Sequence, residues 1–167
     1  MGNTNENLKE AFAGESQANR KYLFFADKAD QEGYRHVARL FRAAAAAETV
    51  HAKNHLRELQ GIGSTADNLK AAVGGELYEF TEMYPQFIGQ AEAEGEAKAK
   101  NSFDMANRVE QVHHGLFEAA LAAIEEEKGK DGEPFHVCRV CGYTVEGEAP
   151  DKCPVCGATK KAFDPVE

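Results

Sequence analysis

From Asn3 to about Glu127, apolar and polar residues recur with the period of an α-helix. Leu8, Phe12, Tyr22, Phe25 and Ala29 share one face of a first stretch, and Val37, Leu40, Phe41 and Ala44 share one face of a second. Ala, Glu, Lys, Leu and Arg, all good helix formers, are abundant, and no proline precedes Pro85. The breaks fall at glycine: near Gly33, at Gly61-Ile62-Gly63-Ser64, and at Gly95. The paired glycines suit a helix C-terminus, and Thr65 or Asp67 is the expected cap of the helix that follows. The pattern predicts four helices of roughly 25 to 30 residues, a mainly α four-helix bundle, with the last helix running to about Lys128. The segment between helices two and three must turn tightly or cross the bundle, and a swapped dimer is one solution.

The periodicity stops at Lys128-Gly129-Lys130-Asp131-Gly132-Glu133-Pro134, a linker of glycine, proline and charge. Residues 1–130 therefore read as the helical domain and residues 131–167 as a second one. From Phe135 onward the chain holds all four cysteines and three of the five prolines, without a helical pattern. A unit this small needs a staple beyond burial, here a metal.

Charge and hydropathy narrow the function classes. The net charge of −9 disfavours nucleic acid as a partner, because phosphate binding needs a basic face. No apolar run approaches the roughly 18 residues that span a membrane. The segment Met1-Gly2-Asn3-Thr4-Asn5-Glu6 lacks the basic and apolar regions of a signal peptide, and Glu6 stands where a myristoylation motif wants Ser or Thr. The expectation is a soluble cytoplasmic protein with neither membrane nor nucleic-acid partners. In that setting paired cysteines read as metal ligands rather than disulfides.

The cysteines stand as Cys138-Arg139-Val140-Cys141-Gly142-Tyr143 and Cys153-Pro154-Val155-Cys156-Gly157. Two residues between thiolates let one tight turn present both sulfurs to one ion, and the glycine after each pair permits the left-handed backbone that closes the turn. Two such turns make a four-sulfur site for zinc or iron, and spacing alone leaves a structural zinc ribbon open. The segment resembles a shortened rubredoxin, with Tyr143 and Phe163 as its small aromatic core. That resemblance implies iron, which carries one electron in four thiolates, with zinc as a possible substitute.

In the helical region Glu48-Thr49-Val50-His51 and Glu110-Gln111-Val112-His113 both read Glu-x-x-His. On a helix these residues lie one turn apart on the same face. A single copy means little, and Glu133-Pro134-Phe135-His136 is such an accident. The pairing carries the argument, and each copy follows an inward glutamate: Glu15 precedes Glu48 by 33 residues, and Glu79 precedes Glu110 by 31. The chain thus reads as an approximate repeat of one helical hairpin, giving the ligand set of bundled di-iron carboxylate proteins. Solvated surface charge is the alternative, and it suits Glu92, Glu94, Glu96 and Glu125 to Glu127. Glu15 lies among Ala11, Phe12, Ala18 and Tyr22, and Glu48 follows the alanines 43–47. Carboxylates on such a face are costly unless paired or metal-bound.

Ala13-Gly14-Glu15-Ser16-Gln17-Ala18, the two Glu-x-x-His pairs, Glu79-Phe80-Thr81-Glu82-Met83-Tyr84-Pro85 and the cysteine knuckles together resemble rubrerythrin in the family's order. The resemblance implies a ferritin-like four-helix bundle followed by a small rubredoxin-like metal-knuckle domain. It implies two Fe in a carboxylate-bridged site, with Glu48 and Glu110 bridging, Glu15 and Glu79 terminal, and His113 on one iron. Glu82 and His51 would exchange as ligands of the other iron when its redox state changes. The implied activity is that of a non-haem iron peroxidase reducing hydrogen peroxide to water, with Glu82 and Tyr22 as candidates to position or relay protons; Tyr22 is equally readable as a core tyrosine. His55, His114, His36 and His136 fall outside the motif. Electrons would come from a separate NAD(P)H-linked reductase or small redox protein, since no dinucleotide fingerprint occurs here. About 21 Å of helix separates His113 from Glu127. The knuckle iron is therefore expected to lie too far from the di-iron site of its own subunit, which favours a head-to-tail or domain-swapped homodimer. Ferritin-like iron storage and a zinc-stapled binding protein are the competing classes.

Overall fold

A computed structural model describes residues 3–126 and 132–166. Most of the expected linker, with the boundary at 130/131, lies outside the described residues. The chain divides into two compact units, residues 1–63 and residues 64–167, so the second helical hairpin and the cysteine-rich segment share one unit.

The first unit is a helical hairpin, α1 (Thr4–Gln31) and α2 (Arg35–Glu58). The Asn3 side chain accepts from Glu6 N at 3.0 Å while Asn3 N donates to the Glu6 carboxylate at 2.9 Å, a reciprocal cap on the first orphan amides. The chain reverses at Gly33, whose φ of +85° is open to glycine. Buried Ala26, Ala29 and Ala38 form one cluster with Phe41 packed against it, and Ala45 is buried further along α2. Arg42 ties the hairpin from outside, reaching Asp30 at 2.7 Å and Asp27 at 3.3 Å. The paired glycines do follow α2, but neither supplies its left-handed residue. That residue is Gln60, at φ +56°. Gly61 serves a close approach instead: its N–H donates to Leu56 O at 2.9 Å, and a Cβ there would fall 2.4 Å from Leu56 Cδ1.

The second unit opens with α3 (Thr65–Tyr78), capped by Ser64 rather than by Thr65 or Asp67. The third helix then makes a π turn at Glu79–Met83 before continuing as α4 (Tyr84–Ala93). Pro85 explains the irregularity, because it lacks the N–H that an α-helix would aim at the carbonyl of Thr81. Tyr84 N donates to Glu79 O across the wider ring, and Thr81 Oγ1 donates to Leu77 O at 2.7 Å. Gly95 (φ +73°) turns the chain into α5 (Ala97–Glu125). Together these are the four helices of the expected bundle class, the third carrying the π turn.

The knuckle domain has three short antiparallel strands in the order β2-β1-β3: β1 (Phe135–Cys138), β2 (Thr144–Glu146) and β3 (Phe163–Val166). Cys138, Ala149, Cys153 and Phe163 are its buried centre, and the Tyr143 ring meets Phe163 edge-on at 6.3 Å, as the sequence led us to expect.

Phe25, Val37 and Leu40, which the sequence places on apolar faces, are exposed, Leu40 to 64%. A two-helix hairpin offers each helix one neighbour, so only part of an apolar stripe wide enough for a bundle is covered. Among the described residues no helix is long and apolar enough to cross a membrane.

Close helix approach at alanine makes a direct test. Ala38 has no exposed surface. Ala38→Leu is expected to destabilise the protein by about 1–3 kcal/mol in urea unfolding, whereas Leu at exposed Ala46 should cost under about 0.5 kcal/mol. Equal effects would contradict alanine-mediated packing.

Candidate metal centres

Four thiols converge at the knuckles. Cys138 Sγ lies 3.7 Å from Cys156 Sγ, and Cys141 Sγ lies 3.6 Å from Cys153 Sγ. Both separations are far longer than the roughly 2.05 Å of a disulfide. They match the edge of about 3.8 Å for a tetrahedron whose ion–sulfur bonds are about 2.3 Å. Gly142 and Gly157 have φ of +83° and +76°, and their N–H groups close the two turns onto Cys138 O (2.8 Å) and Cys153 O (2.9 Å). Burial pushes the Cys141 thiol up. Burial also acts on Cys153, but the backbone N–H groups of Cys156 and Val155 outweigh it and hold that thiol at about 7. One sulfur readily ionised beside one that resists ionising is a set awaiting a cation.

The helices supply two further ligand groups, one in each unit. In the first hairpin Glu15, Glu48 and His51 place ligand atoms within 4.8 Å of one another. His51 Nδ1 is 2.9 Å from Glu48 Oε2 and 3.9 Å from Glu15 Oε1. A shared hydrogen bond with Glu48 raises the Glu15 carboxyl above its ordinary value, and the same bond, with help from His51, lowers Glu48. A proton between two carboxylates stands where a cation would otherwise relieve their repulsion. The helix-to-helix geometry is held by Asn19, whose Nδ2 donates to Ala45 O at 2.7 Å and Thr49 Oγ1 at 2.9 Å.

The second group repeats the first. Glu76, Glu110 and His113 also lie within 4.8 Å, and His113 Nδ1 is 2.7 Å from Glu110 Oε2. In both copies the i,i+3 spacing turns the imidazole Nδ1 toward its carboxylate. Burial, then the Glu110 charge, raises Glu76 and Glu79; the Glu110 hydrogen bond raises His113. Carboxyls and a histidine all pushed toward their protonated forms make a half-buried anionic site short of positive charge. Glu76 and His113 line a cavity of about 520 Å³ with Leu116, Phe117, Val137 and Thr144.

This arrangement adds Glu76 to the carboxylates that the third helix offers. Its ligand atoms lie within 4.8 Å of those of Glu110 and His113. Glu79 is half-buried one turn on and feels the charge of Glu110, whereas Glu82 is exposed. The π turn, wider than an α turn, spans Glu79 to Met83 and so carries both Glu79 and Glu82. A signal existed: Glu76 precedes Glu110 by 34 residues, closer to the 33 of the first hairpin than the 31 of Glu79. Tyr84 also escaped sequence reasoning. It is partly buried, and burial with the charges of Glu110, Glu79 and Glu76 raises its hydroxyl above the ordinary value. Tyr22 sits in a ring cluster, 6.0 Å from Phe41 and 6.4 Å from Phe25. His114 packs edge-on against Phe80 at 5.4 Å and lies 3.4 Å from Glu118, clear of the ligand set.

The knuckle is not remote from His113 of its own chain, contrary to the helix-length argument. Thr144 Oγ1 on β2 is 2.9 Å from His113 Nε2, and Arg108 on α5 donates to Val155 O and Pro154 O, each at 2.9 Å. The length of α5 beyond His113 sets no separation, because the cysteine-rich segment packs beside the helix rather than beyond its end.

A family model described as Rubrerythrin matches residues 6–121, and one described as Rubrerythrin, rubredoxin-like domain matches residues 136–164. Nigerythrin of Nitratidesulfovibrio vulgaris is 40% identical, covering 98% of this chain and 86% of its own. Rubrerythrin of Porphyromonas gingivalis is 38% identical, covering 98% and 90%. Among solved structures, nigerythrin in a partially reduced state matches with a TM-score of 0.60 at 38% identity, over 99% of this chain and 88% of that one.

The place of Glu76 beside Glu110 and His113 predicts that Glu76→Gln lowers the affinity of the helical site for iron by at least about tenfold in titrations of metal-free protein. Unchanged affinity in Glu76→Gln would remove Glu76 from the ligand set and leave the carboxylates read from the sequence.

Proposed function

Because this chain belongs to the rubrerythrin family, we propose that it is a non-haem iron peroxidase that reduces hydrogen peroxide to water, with electrons entering through its four-cysteine iron. As a member of the family it carries the di-iron carboxylate site and the rubredoxin-like four-cysteine site. The observation that carries the reading is the duplicated ligand group: Glu15, Glu48 and His51 in one unit, and Glu76, Glu110 and His113 in the other.

In this proposal the two groups meet around one pair of irons. Glu48 and Glu110 would be shared between the irons, Glu15 and Glu79 would each hold one, His113 would bind one iron, and Glu76 lies close enough to Glu110 and His113 to join them. Glu82 has no counterpart in the first hairpin, and it would alternate with His51 as a ligand of the other iron. A hard carboxylate favours the ferric ion and a neutral imidazole the ferrous one. When bound, the irons supply two electrons to the O–O bond, in the balance H2O2 + 2 H⁺ + 2 e⁻ → 2 H2O. Tyr84 keeps its proton through burial and the surrounding carboxylates, so it is placed to donate a hydrogen bond or proton at the site. Glu76 and Glu79, raised by the same crowding, are carboxyls that hold a proton more readily than free ones.

The electrons come from a reductase or small redox protein, NAD(P)H-linked and separate from this chain, in the cytoplasm. Iron storage leaves the electron-carrying knuckle without a use. The active species is a homodimer. Exposed apolar residues on both units, among them Leu40, Val50, Tyr78 and Phe87, support it. A swapped dimer would build each iron pair from residues 1–63 of one copy and residues 64–167 of the other.

Protein loaded with iron under anaerobic conditions is expected to hold about three irons per chain. Its red colour should bleach on reduction and return on addition of peroxide, and failure of the colour to return would overturn the peroxidase reading. For the swapped dimer, mixing Glu48→Ala with Glu110→Ala copies should restore on the order of a quarter of wild-type activity. No recovery after verified subunit exchange would contradict the swap.

A further inference from the structure

His113 meets the knuckle domain through one side chain. Thr144 Oγ1 donates to Gly142 O at 3.0 Å and lies 2.9 Å from His113 Nε2. A hydroxyl has one proton to give. With that proton committed to Gly142, Thr144 can only accept from the imidazole, so Nε2 carries the hydrogen. The other ring nitrogen, Nδ1, is then the lone-pair face, and it lies 2.7 Å from Glu110 Oε2, itself an acceptor. Two acceptors at that distance require a cation or a further proton between them. In the first hairpin His51 Nδ1 faces Glu48 in the same way. His51 is more exposed than His113, 52% against 27% of the side chain, so the two imidazoles are unequally held.

We propose that Thr144 is a positioning residue for the helical metal centre, one that sets the tautomer and ring orientation of His113 and joins that centre to the four-cysteine knuckle of the same chain. The proposal rests on the functional reading above and adds a residue to it. Metal-bound histidines commonly give their second N–H to an oxygen that fixes the ring and raises its basicity. Here the oxygen belongs to the knuckle domain. It comes three residues after Cys141, and its own hydrogen bond ends on Gly142, the neighbour of Cys141. The path from His113 to a cysteine ligand is thus two hydrogen bonds and a short run of backbone. Arg108, clamped to the carbonyls of Pro154 and Val155, and Val109, whose Cγ1 would lie 3.7 Å from a Cβ at Gly142, hold the knuckle against α5 on both sides of this contact.

Thr144→Val keeps the branched shape and removes the hydroxyl, and Thr144→Ser restores it. In zinc-loaded protein, nitrogen-15 NMR of wild type and Thr144→Ser should show His113 as the Nε2–H tautomer with a slowly exchanging proton. Thr144→Val should lose that protected signal. In iron-loaded protein reduced beforehand, stopped-flow reoxidation of the knuckle colour by peroxide should slow by about 10–100-fold in Thr144→Val and recover in Thr144→Ser. Unchanged His113 signals in Thr144→Val would overturn the proposal. So would equal reoxidation rates in all three proteins. If wild type itself shows no peroxide-driven reoxidation, the peroxidase reading fails, and the NMR comparison still decides the role of Thr144.

Discussion

Carboxylates drawn onto one face of a helical hairpin repel one another, and the rest of this structure depends on how that repulsion is met. Glu15 and Glu48 share a hydrogen bond that raises one and lowers the other. Glu76 and Glu79 are raised by burial beside the charge of Glu110. Such groups bear a folding cost unless a cation neutralises them. The knuckles pose the same problem in sulfur, with thiols spaced as the edges of a tetrahedron. Both halves of the chain are therefore built around positive charge that the amino acids themselves do not supply.

The fold answers that constraint with rigid local geometry. Alanines at 26, 29, 38 and 45 occupy the buried positions of the first hairpin, where Asn19 bridges to α2 one turn from Glu15 and Glu48. In the second hairpin a π turn spans Glu79–Met83, the segment that carries Glu79 and Glu82, and a proline that cannot complete an α turn sits just after it. A departure from regular helix at a ligand-bearing segment is a common way of placing function. The knuckle domain is held on α5 by Arg108 and Thr144, so its sulfur site and the His113 group belong to one compact unit.

Much of this was legible in the residues themselves. The helix ends at Gly33 and Gly95, the two cysteine turns with their left-handed glycines, and the pairing of Tyr143 with Phe163 all follow from local chemistry that a sequence displays. The Glu-x-x-His pairs are legible for the same reason, since i,i+3 neighbours meet on any helix. What escaped were features set by deviations from ideal periodicity or by contacts distant along the chain. Glu76 lies outside the Glu-x-x-Glu segment of Glu79 and Glu82, and only the folded chain shows it beside Glu110 and His113. Gln60, and neither of the paired glycines that follow it, takes the left-handed backbone at the end of α2, while Gly61 lies where Leu56 comes close. His113 and Thr144 stand 31 positions apart, and nothing in the sequence signals that the two side chains touch.

The central claim is that acidic groups from both hairpins are reconciled by a shared pair of irons, and Mössbauer spectroscopy of protein loaded with iron-57 tests it most directly. The account predicts, in the oxidised protein, a diamagnetic ground state from two spin-coupled ferric ions, beside the separate signal of the four-sulfur iron. A spectrum showing only isolated paramagnetic iron outside the knuckles, with no coupled pair, would contradict it.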